Sequence, residues 1–263
     1  MKDFCGMNAD LGIFLLIGQS NMAGRGRIDE VPPLRDPRVL MFRDGRWILA
    51  EEPLHTDKPS IAGVGLGMSF AIELLARGRR MPIGLVPCAV GGTQLSRWMP
   101  GADLYENAVS ITRLALSRGA LSGILWHQGE GDADAPADAN SYGTRFTEMV
   151  TRMRIDLSGV NVPVITGELG PFLRERDDCK FSATVNRHLR DLERSLPFCG
   201  CASSEGLTDN GDKLHFNSES LREFGRRYAV RYIGLTQTCA GRVNSLTSGS
   251  DSTGDRTPDR RRQ

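Results

Sequence analysis

Short apolar runs alternate with amphipathic stretches of helical period along most of this 263-residue chain. Apolar runs that end at glycine or polar residues are typical of buried strands, and they predict strands at 13–17, 83–88, 121–126, 162–166 and 198–202. Stripes such as Leu66, Phe70 and Leu74 predict the intervening helices. Strands that alternate with helices form parallel sheets covered on both faces. We therefore predict an α/β protein, a three-layer α/β/α flavodoxin-like fold with a five-stranded parallel sheet.

Two segments depart from this alternation. Residues 25–62 are irregular and predict a surface insertion with two extended pieces, Val39–Phe42 and Trp47–Ala50, joined by a hairpin at Asp44-Gly45. From about Ala240 the chain is rich in Ser, Thr, Gly, Asp and Arg without periodicity. We therefore expect a single domain over 1–239 and a disordered tail over 240–263.

Composition excludes several classes of function. A net charge of +1 supplies no basic field for nucleic acid or an anionic membrane. The first apolar run is too short to span a bilayer and lacks the cleavage site of a signal peptide, so we expect a cytoplasmic protein. The six cysteines form no C-x-x-C pair and no zinc spacing, which predicts buried thiols and no metal.

Polar and glycine-rich segments follow four of the predicted strands. They are Gly18–Gly24, Gly91–Thr93, His127–Asp132 and Asp212–His215. The carboxyl ends of parallel strands share one edge, where open α/β sheets bind their ligands. We therefore expect these four segments to form a single site.

Three of these segments contain the groups that acyl transfer needs. Ser20 is a candidate nucleophile, although most serines after strands are helix caps or turn formers. Asp212 and His215 lie three residues apart, which lets a carboxylate hold Nδ1–H and leave Nε2 as a base. A surface capping role for this pair is the alternative. Gly91-Gly92 lets backbone N–H groups approach an oxyanion, or forms an ordinary tight turn.

The segment 126–130 is less defined chemically. The side-chain amide of Gln128 is a candidate hydrogen-bond donor to an oxyanion. Glu130 either pairs with a histidine or organises its own loop. His127 and Glu130 do not form H-E-x-x-H, so we predict no metal site. The chain also lacks G-x-S-x-G, a phosphate-binding P-loop and a dinucleotide fingerprint.

The four segments resemble the ordered blocks of the SGNH (GDSL-like) hydrolases over about residues 11–235. More narrowly, they resemble the sialate O-acetylesterase and acetyl xylan esterase branch, carbohydrate esterase family six. This resemblance implies Ser20 as nucleophile, His215 as base and Asp212 as its partner. It also implies oxyanion donors from the Ser20 and Gly92 backbone and from the Gln128 side chain, with no cofactor.

The chain departs from the family pattern at two points. Gln128 replaces the asparagine of the broader superfamily's third block, as it does in this branch. Some members use the glutamate of the H-Q-G-E block as triad acid, so Glu130 competes with Asp212 for that role.

We predict a serine esterase that removes O-acetyl groups from a carbohydrate such as acetyl xylan or an O-acetyl sialic acid. Asn21, Thr93 and Trp98 are assigned to substrate binding; the indole of Trp98 either stacks on a sugar at the mouth of the site or packs on the core. The rival functions are an SGNH-type lipid esterase or thioesterase and a non-catalytic carbohydrate-binding module. The sugar, the acetylated position and the oligomeric state stay open at this point.

Overall fold

The computed structural model describes residues 10–247, and side-chain surroundings for residues 10–237. Within this part of the chain, one sheet contains the strands β1 (Leu11–Gly18), β2 (Val39–Arg43), β3 (Arg46–Leu49), β4 (Ile83–Pro87), β5 (Gly119–His127), β6 (Val164–Gly167) and β7 (Cys199–Ala202). The α-helices are α1 (Ser20–Ala23), α2 (Leu66–Ala76), α3 (Asp103–Ala115), α4 (Pro136–Asp156), α5 (Ser182–Ser195) and α6 (Ser218–Thr247).

The sheet order is β3-β2-β4-β1-β5-β6-β7. The five predicted strands are all present, as β4, β1, β5, β6 and β7, and they are mutually parallel. Numbered among themselves they run 2-1-3-4-5, which is the flavodoxin order. The order in which strands are added to the sheet changes side between β1 and β5, although the strands stay parallel. A ligand site is therefore expected beyond the carboxyl ends of these two strands.

The predicted strand count was too low by two. The hairpin does form at Asp44-Gly45, where both residues have positive φ, but it is part of the sheet rather than a surface insertion. Strand β2 pairs in parallel with β4, and β3 closes the edge antiparallel to β2. The first four residues of β2 are all buried, as expected for a strand that carries a continuous apolar run.

The predicted tail boundary at residue 240 was also too early, because α6 continues to Thr247. Residues 248–263, including the Arg260–Arg262 run, lie outside the described residues, as do Cys5 and the side chain of Cys239. Cys88, Cys179, Cys199 and Cys201 are free thiols. No helix in residues 10–247 is both long and apolar enough to cross a bilayer.

Helices cover both faces of the sheet because consecutive strand residues alternate between faces. Phe14 of β1 makes edge contacts with Phe70 of α2 and Tyr232 of α6. Trp126 of β5, on the opposite face, contacts Phe146 of α4. The two layers keep the strands and their carboxyl-end loops in fixed register.

Close contact between α2 and α6 requires a glycine at position 225. A β-carbon there would lie 2.0 Å from Ser69 Oγ and 2.3 Å from the Leu66 carbonyl oxygen. At Gly234, in the same helix, nothing lies within 4 Å of such a carbon. The same substitution therefore has opposite consequences at the two positions.

We predict that Gly225→Ala lowers the free energy of unfolding by about 2 kcal/mol or more, because the helices must separate. Gly234→Ala raises it by up to about 1 kcal/mol, because alanine favours the helix. Urea unfolding followed by circular dichroism measures both changes. Equal effects at the two positions would contradict the proposed helix contact.

Candidate active site

Ser20, His215 and Asp212 form a continuous hydrogen-bonded chain. His215 Nε2 lies 3.0 Å from Ser20 Oγ, and His215 Nδ1 lies 2.6 Å from Asp212 Oδ2. Ser20 is buried, whereas the Asp212 side chain is 42% exposed at the rim. A hydroxyl, an imidazole and a carboxylate therefore lie in the order that serine acyl transfer requires.

The exit from β1 places Ser20 at this point. Gly18 has φ +130°, and a β-carbon on it would lie 2.1 Å from the His127 carbonyl oxygen of neighbouring β5. Gln19 N–H then donates to that same carbonyl at 2.9 Å. Ser20 begins helix α1, so its own N–H has no acceptor within the helix. This N–H is available to an oxyanion.

Asp212 fixes the backbone of the loop that precedes α6. Asp212 Oδ1 accepts the backbone N–H groups of Leu214 and His215 at 2.9 and 2.8 Å. Burial opposes ionisation of Asp212, but these hydrogen bonds and the His215 ring hold its pKa below the ordinary value. Asp212 therefore remains charged and fixes the imidazole with Nδ1 protonated.

Asn21 was assigned to substrate binding, but its side chain is bonded within the protein instead. It is buried, and its Nδ2 donates to Glu130 Oε1 at 2.6 Å and to the Leu214 carbonyl at 3.2 Å. Its Oδ1 accepts the Phe216 N–H at 3.1 Å. Asn21 therefore holds the residues on both sides of His215, and it has no polar atom left for substrate.

Glu130 lies behind this contact. Its Oε1 accepts from Asn21, whereas its Oε2 is buried without a hydrogen-bond partner among the described residues. Burial raises the pKa of Glu130 to about 7, against the lowering effect of the Asn21 hydrogen bond. The carboxylate on His215 Nδ1 is that of Asp212, and Glu130 reaches the histidine loop only through Asn21.

The glycine pair lies against Ser20. A β-carbon on Gly91 would be 3.4 Å from Ser20 Cβ. Gly92 has φ +79° and is exposed, and its N–H makes no hydrogen bond within residues 10–247. Gly92 N–H and Ser20 N–H are therefore both free backbone donors.

A buried ion pair, missed in the sequence, holds the glycine loop. Asp57 Oδ2 accepts the Gly91 N–H at 2.7 Å and binds Arg25 Nη2 at 2.7 Å. The side chains of Arg25 and Asp57 are only 4% and 3% exposed. Arg25 directly follows the first polar segment, but Asp57 lies 32 residues further along the irregular stretch, where no local pattern indicates it.

Gln128 is not positioned as an oxyanion donor, which corrects the expectation. Its side chain is fully buried, and Nε2 donates to the Thr93 carbonyl at 3.0 Å and to Asp132 Oδ2 at 2.6 Å. Both amide hydrogens are therefore bonded within the protein. Gln128 instead ties the loop after β5 to the loop after β4.

Thr93 and Trp98 are also structural in this arrangement. Trp98 has no exposed surface, and its Nε1 donates to Thr93 Oγ1 at 3.1 Å. Thr93 Oγ1 in turn donates to the Val90 carbonyl at 2.8 Å. The indole makes an edge contact with Trp126 and offers no face to a sugar, so the core-packing alternative holds.

His127 is buried between Phe216 and Phe224, and burial lowers its pKa to about 3. It is therefore neutral, and neither ring nitrogen makes a hydrogen bond to another described residue. Among the described residues no group of three or more His, Cys, Asp or Glu side chains is arranged to hold a metal ion.

We predict that Glu130→Gln changes the pH dependence of stability. Glu130 has its pKa raised from 4.5 to about 7, so the folded protein keeps a proton that the unfolded chain releases. Wild type therefore loses stability as the pH rises through this range, whereas the glutamine variant avoids that loss. The free energy of unfolding of the variant relative to wild type should rise by up to about 3 kcal/mol between pH 5 and pH 8.

Urea unfolding at the two pH values tests this expectation. Glu148→Gln, which removes an exposed carboxyl from α4, is the matched control and should show no such trend. A difference between Glu130→Gln and wild type that does not change with pH would contradict the burial argument.

Comparison with known proteins supports a family assignment. Residues 10–234 match the family model described as carbohydrate esterase, sialic acid-specific acetylesterase. A probable carbohydrate esterase of Arabidopsis thaliana is 32% identical over 244 residues, covering 84% of this chain and 90% of that protein. An X-ray structure of an Arabidopsis thaliana protein superposes with a TM-score of 0.78 at 32% identity, covering 86% and 98% of the two chains.

Two more distant structures share the fold. NanS superposes with a TM-score of 0.73 at 19% identity, covering 88% of this chain and 99% of NanS. A carbohydrate acetylesterase from Xanthomonas citri gives 0.62 at 22% identity, covering 84% and 55%. On the family match and the Arabidopsis relative, the chain belongs to the sialic acid-specific acetylesterase family of carbohydrate esterases and is a carboxylic ester hydrolase.

Proposed function

We propose that the protein is a serine esterase that removes O-acetyl groups from a carbohydrate through an acyl-enzyme intermediate. The observation that carries this proposal is the unbroken chain from Ser20 Oγ through both ring nitrogens of His215 to Asp212. Family membership supports an ester of a carbohydrate as the substrate class. Acetyl is the acyl group named in the family description.

In the first half-reaction, Ser20 Oγ attacks the acetyl carbonyl while His215 Nε2 takes the hydroxyl proton. The Asp212 carboxylate stabilises the imidazolium that forms. The oxyanion accepts from the N–H groups of Ser20 and Gly92. Both amide hydrogens of Gln128 are already bonded within the protein, so this side chain does not donate to the oxyanion. It contributes instead by holding the Gly91–Thr93 loop. Such preorganised donors each contribute about a hundredfold or more in rate.

Collapse of the tetrahedral intermediate releases the sugar alcohol. His215 Nε2–H protonates the leaving oxygen, and the acetyl group stays on Ser20. A water molecule then attacks the acyl-enzyme while His215 again takes a proton. The second tetrahedral intermediate expels Ser20, which regains its proton, and acetate leaves. Besides this water molecule, these steps use side chains and backbone donors of this chain.

We predict that Ser20→Ala lowers kcat/KM for 4-nitrophenyl acetate by about a thousandfold or more, because the nucleophile is lost. Ser117→Ala, which removes an exposed hydroxyl that donates to the Leu114 carbonyl, is the control and should keep full activity. Circular dichroism checks that both variants are folded. Acetyl esterase activity that survives in Ser20→Ala would exclude this serine as nucleophile, and a preference for octanoyl over acetyl esters would favour a lipid esterase.

We also predict that the two candidate carboxylates differ sharply in their effect on rate. Asp212→Asn should lower kcat by about a thousandfold or more, because the imidazole loses the acceptor that sets its tautomer. Glu130→Gln should keep kcat within about tenfold, because glutamine still offers Asn21 an acceptor oxygen. Steady-state kinetics of both variants measure the contrast. The reverse order of the two losses would make Glu130 the triad acid.

A further inference from the structure

A cleft of about 700 Å³ opens beside the catalytic histidine. Asp212 and His215 line one side of it, and the segments 25–29 and 60–63 line the others. The short 3₁₀ turn at Ile28–Glu30 forms part of the rim. The cleft therefore adjoins the carboxylate end of the proton-transfer chain.

The proposed chemistry determines which half of the ester lies here. The leaving oxygen must reach His215 Nε2 to take its proton, so the alcohol half of the substrate lies next to the ring. The acyl oxygen lies toward the Ser20 and Gly92 N–H groups. Because Ser20 does not line the cleft, the cleft receives only the part of the alcohol half that extends past the His215 ring, an inference that depends on the function proposed above.

The walls of the cleft expose apolar side chains. Ile28 is 48% exposed and Ile61 is 54% exposed, and both line the cleft together with Ala62. Single exposed hydrophobic residues are ordinary, but two that line one cleft next to a catalytic base indicate an apolar ligand group. Among the described residues, no Phe, Tyr or Trp side chain lines the cleft, so no indole or phenyl ring there stacks on a sugar.

Each arginine that lines the cleft has a carboxylate partner. Arg27 pairs with Asp29 at 3.1 Å and lies 3.5 Å from Glu30. Arg25 is paired with Asp57 in a buried contact. An anionic sugar would therefore have to compete with a carboxylate for either arginine.

Lys58 lies on the other side of the site. Its Nζ is 3.8 Å from the position of a β-carbon on Gly92, next to the glycine loop, and it does not line the cleft.

We propose that this cleft binds an apolar aglycone, and that the preferred substrates are neutral O-acetylated glycosides whose aglycone contacts Ile28 and Ile61. The sugar ring then lies between the aglycone and the acetyl group at Ser20. Selection of the alcohol half comes from burial of apolar surface on the two isoleucines.

The test compares acetate release from two acetylated xylosides that differ only in the aglycone, methyl or 4-nitrophenyl. Wild type should prefer the 4-nitrophenyl glycoside by about tenfold or more in kcat/KM. The double variant Ile28→Ser/Ile61→Ser should lose this preference through a higher KM for the aryl glycoside only. Ile155→Ser, which replaces an isoleucine of similar exposure on α4, should behave as wild type.

Equal kcat/KM for the two glycosides in wild type would overturn the proposal while leaving the esterase function intact. A stronger preference for an acetylated sialic acid that disappears in Lys58→Ala would also overturn it, by showing selection through an anionic group. If no ester is hydrolysed at all, the esterase proposal fails. Calorimetric binding of the two glycosides to Ser20→Ala then tests the cleft directly, with equal affinities as the contradicting result.

Discussion

The buried amide of Asn21 is the contact on which the geometry of the site depends. It joins the end of β1 to the loop before α6, bridging residues 193 to 195 positions apart in the chain. Two of its side-chain hydrogen bonds are to the residues on either side of His215, and a third is to Glu130. An amide with this many buried partners is costly to disturb, because each lost partner leaves an unsatisfied polar group. The distance from Ser20 to His215 is thus set by a neighbour of Ser20.

A second contact holds the Gly91–Thr93 loop against the same strand end. Arg25 follows the α1 turn, and its carboxylate partner Asp57 accepts the Gly91 N–H. A buried ion pair contributes little net stability, but breaking it leaves an uncompensated charge. Together with Gln128, which holds the Thr93 carbonyl, this arrangement gives the loop after β4 a single position relative to Ser20.

The sequence carries the parts of this architecture that have local signals. Apolar runs located the five parallel strands, and polar segments after four of them located the edge that bears the site. The sequence alone does not distinguish a polar side chain that binds substrate from one that is hydrogen-bonded within the protein. Asn21, Thr93, Trp98 and Gln128 lie in the correct loops, but their hydrogen bonds are completed by groups distant in the chain. Asp57 has no local signal at all, because its partners come together only when the loops pack.

The β2–β3 hairpin also affects how the molecule meets its neighbours. Strand β4, with its apolar sequence, would be the sheet edge without it; the hairpin moves that edge to β3, which begins with the exposed Arg46. At the opposite edge, the Cys201 N–H of β7 donates to the Glu193 carboxylate at 2.7 Å. A charged short strand and a capped N–H both oppose pairing with strands of another chain. The sheet that carries the candidate site is thereby protected from edge-to-edge aggregation at both edges.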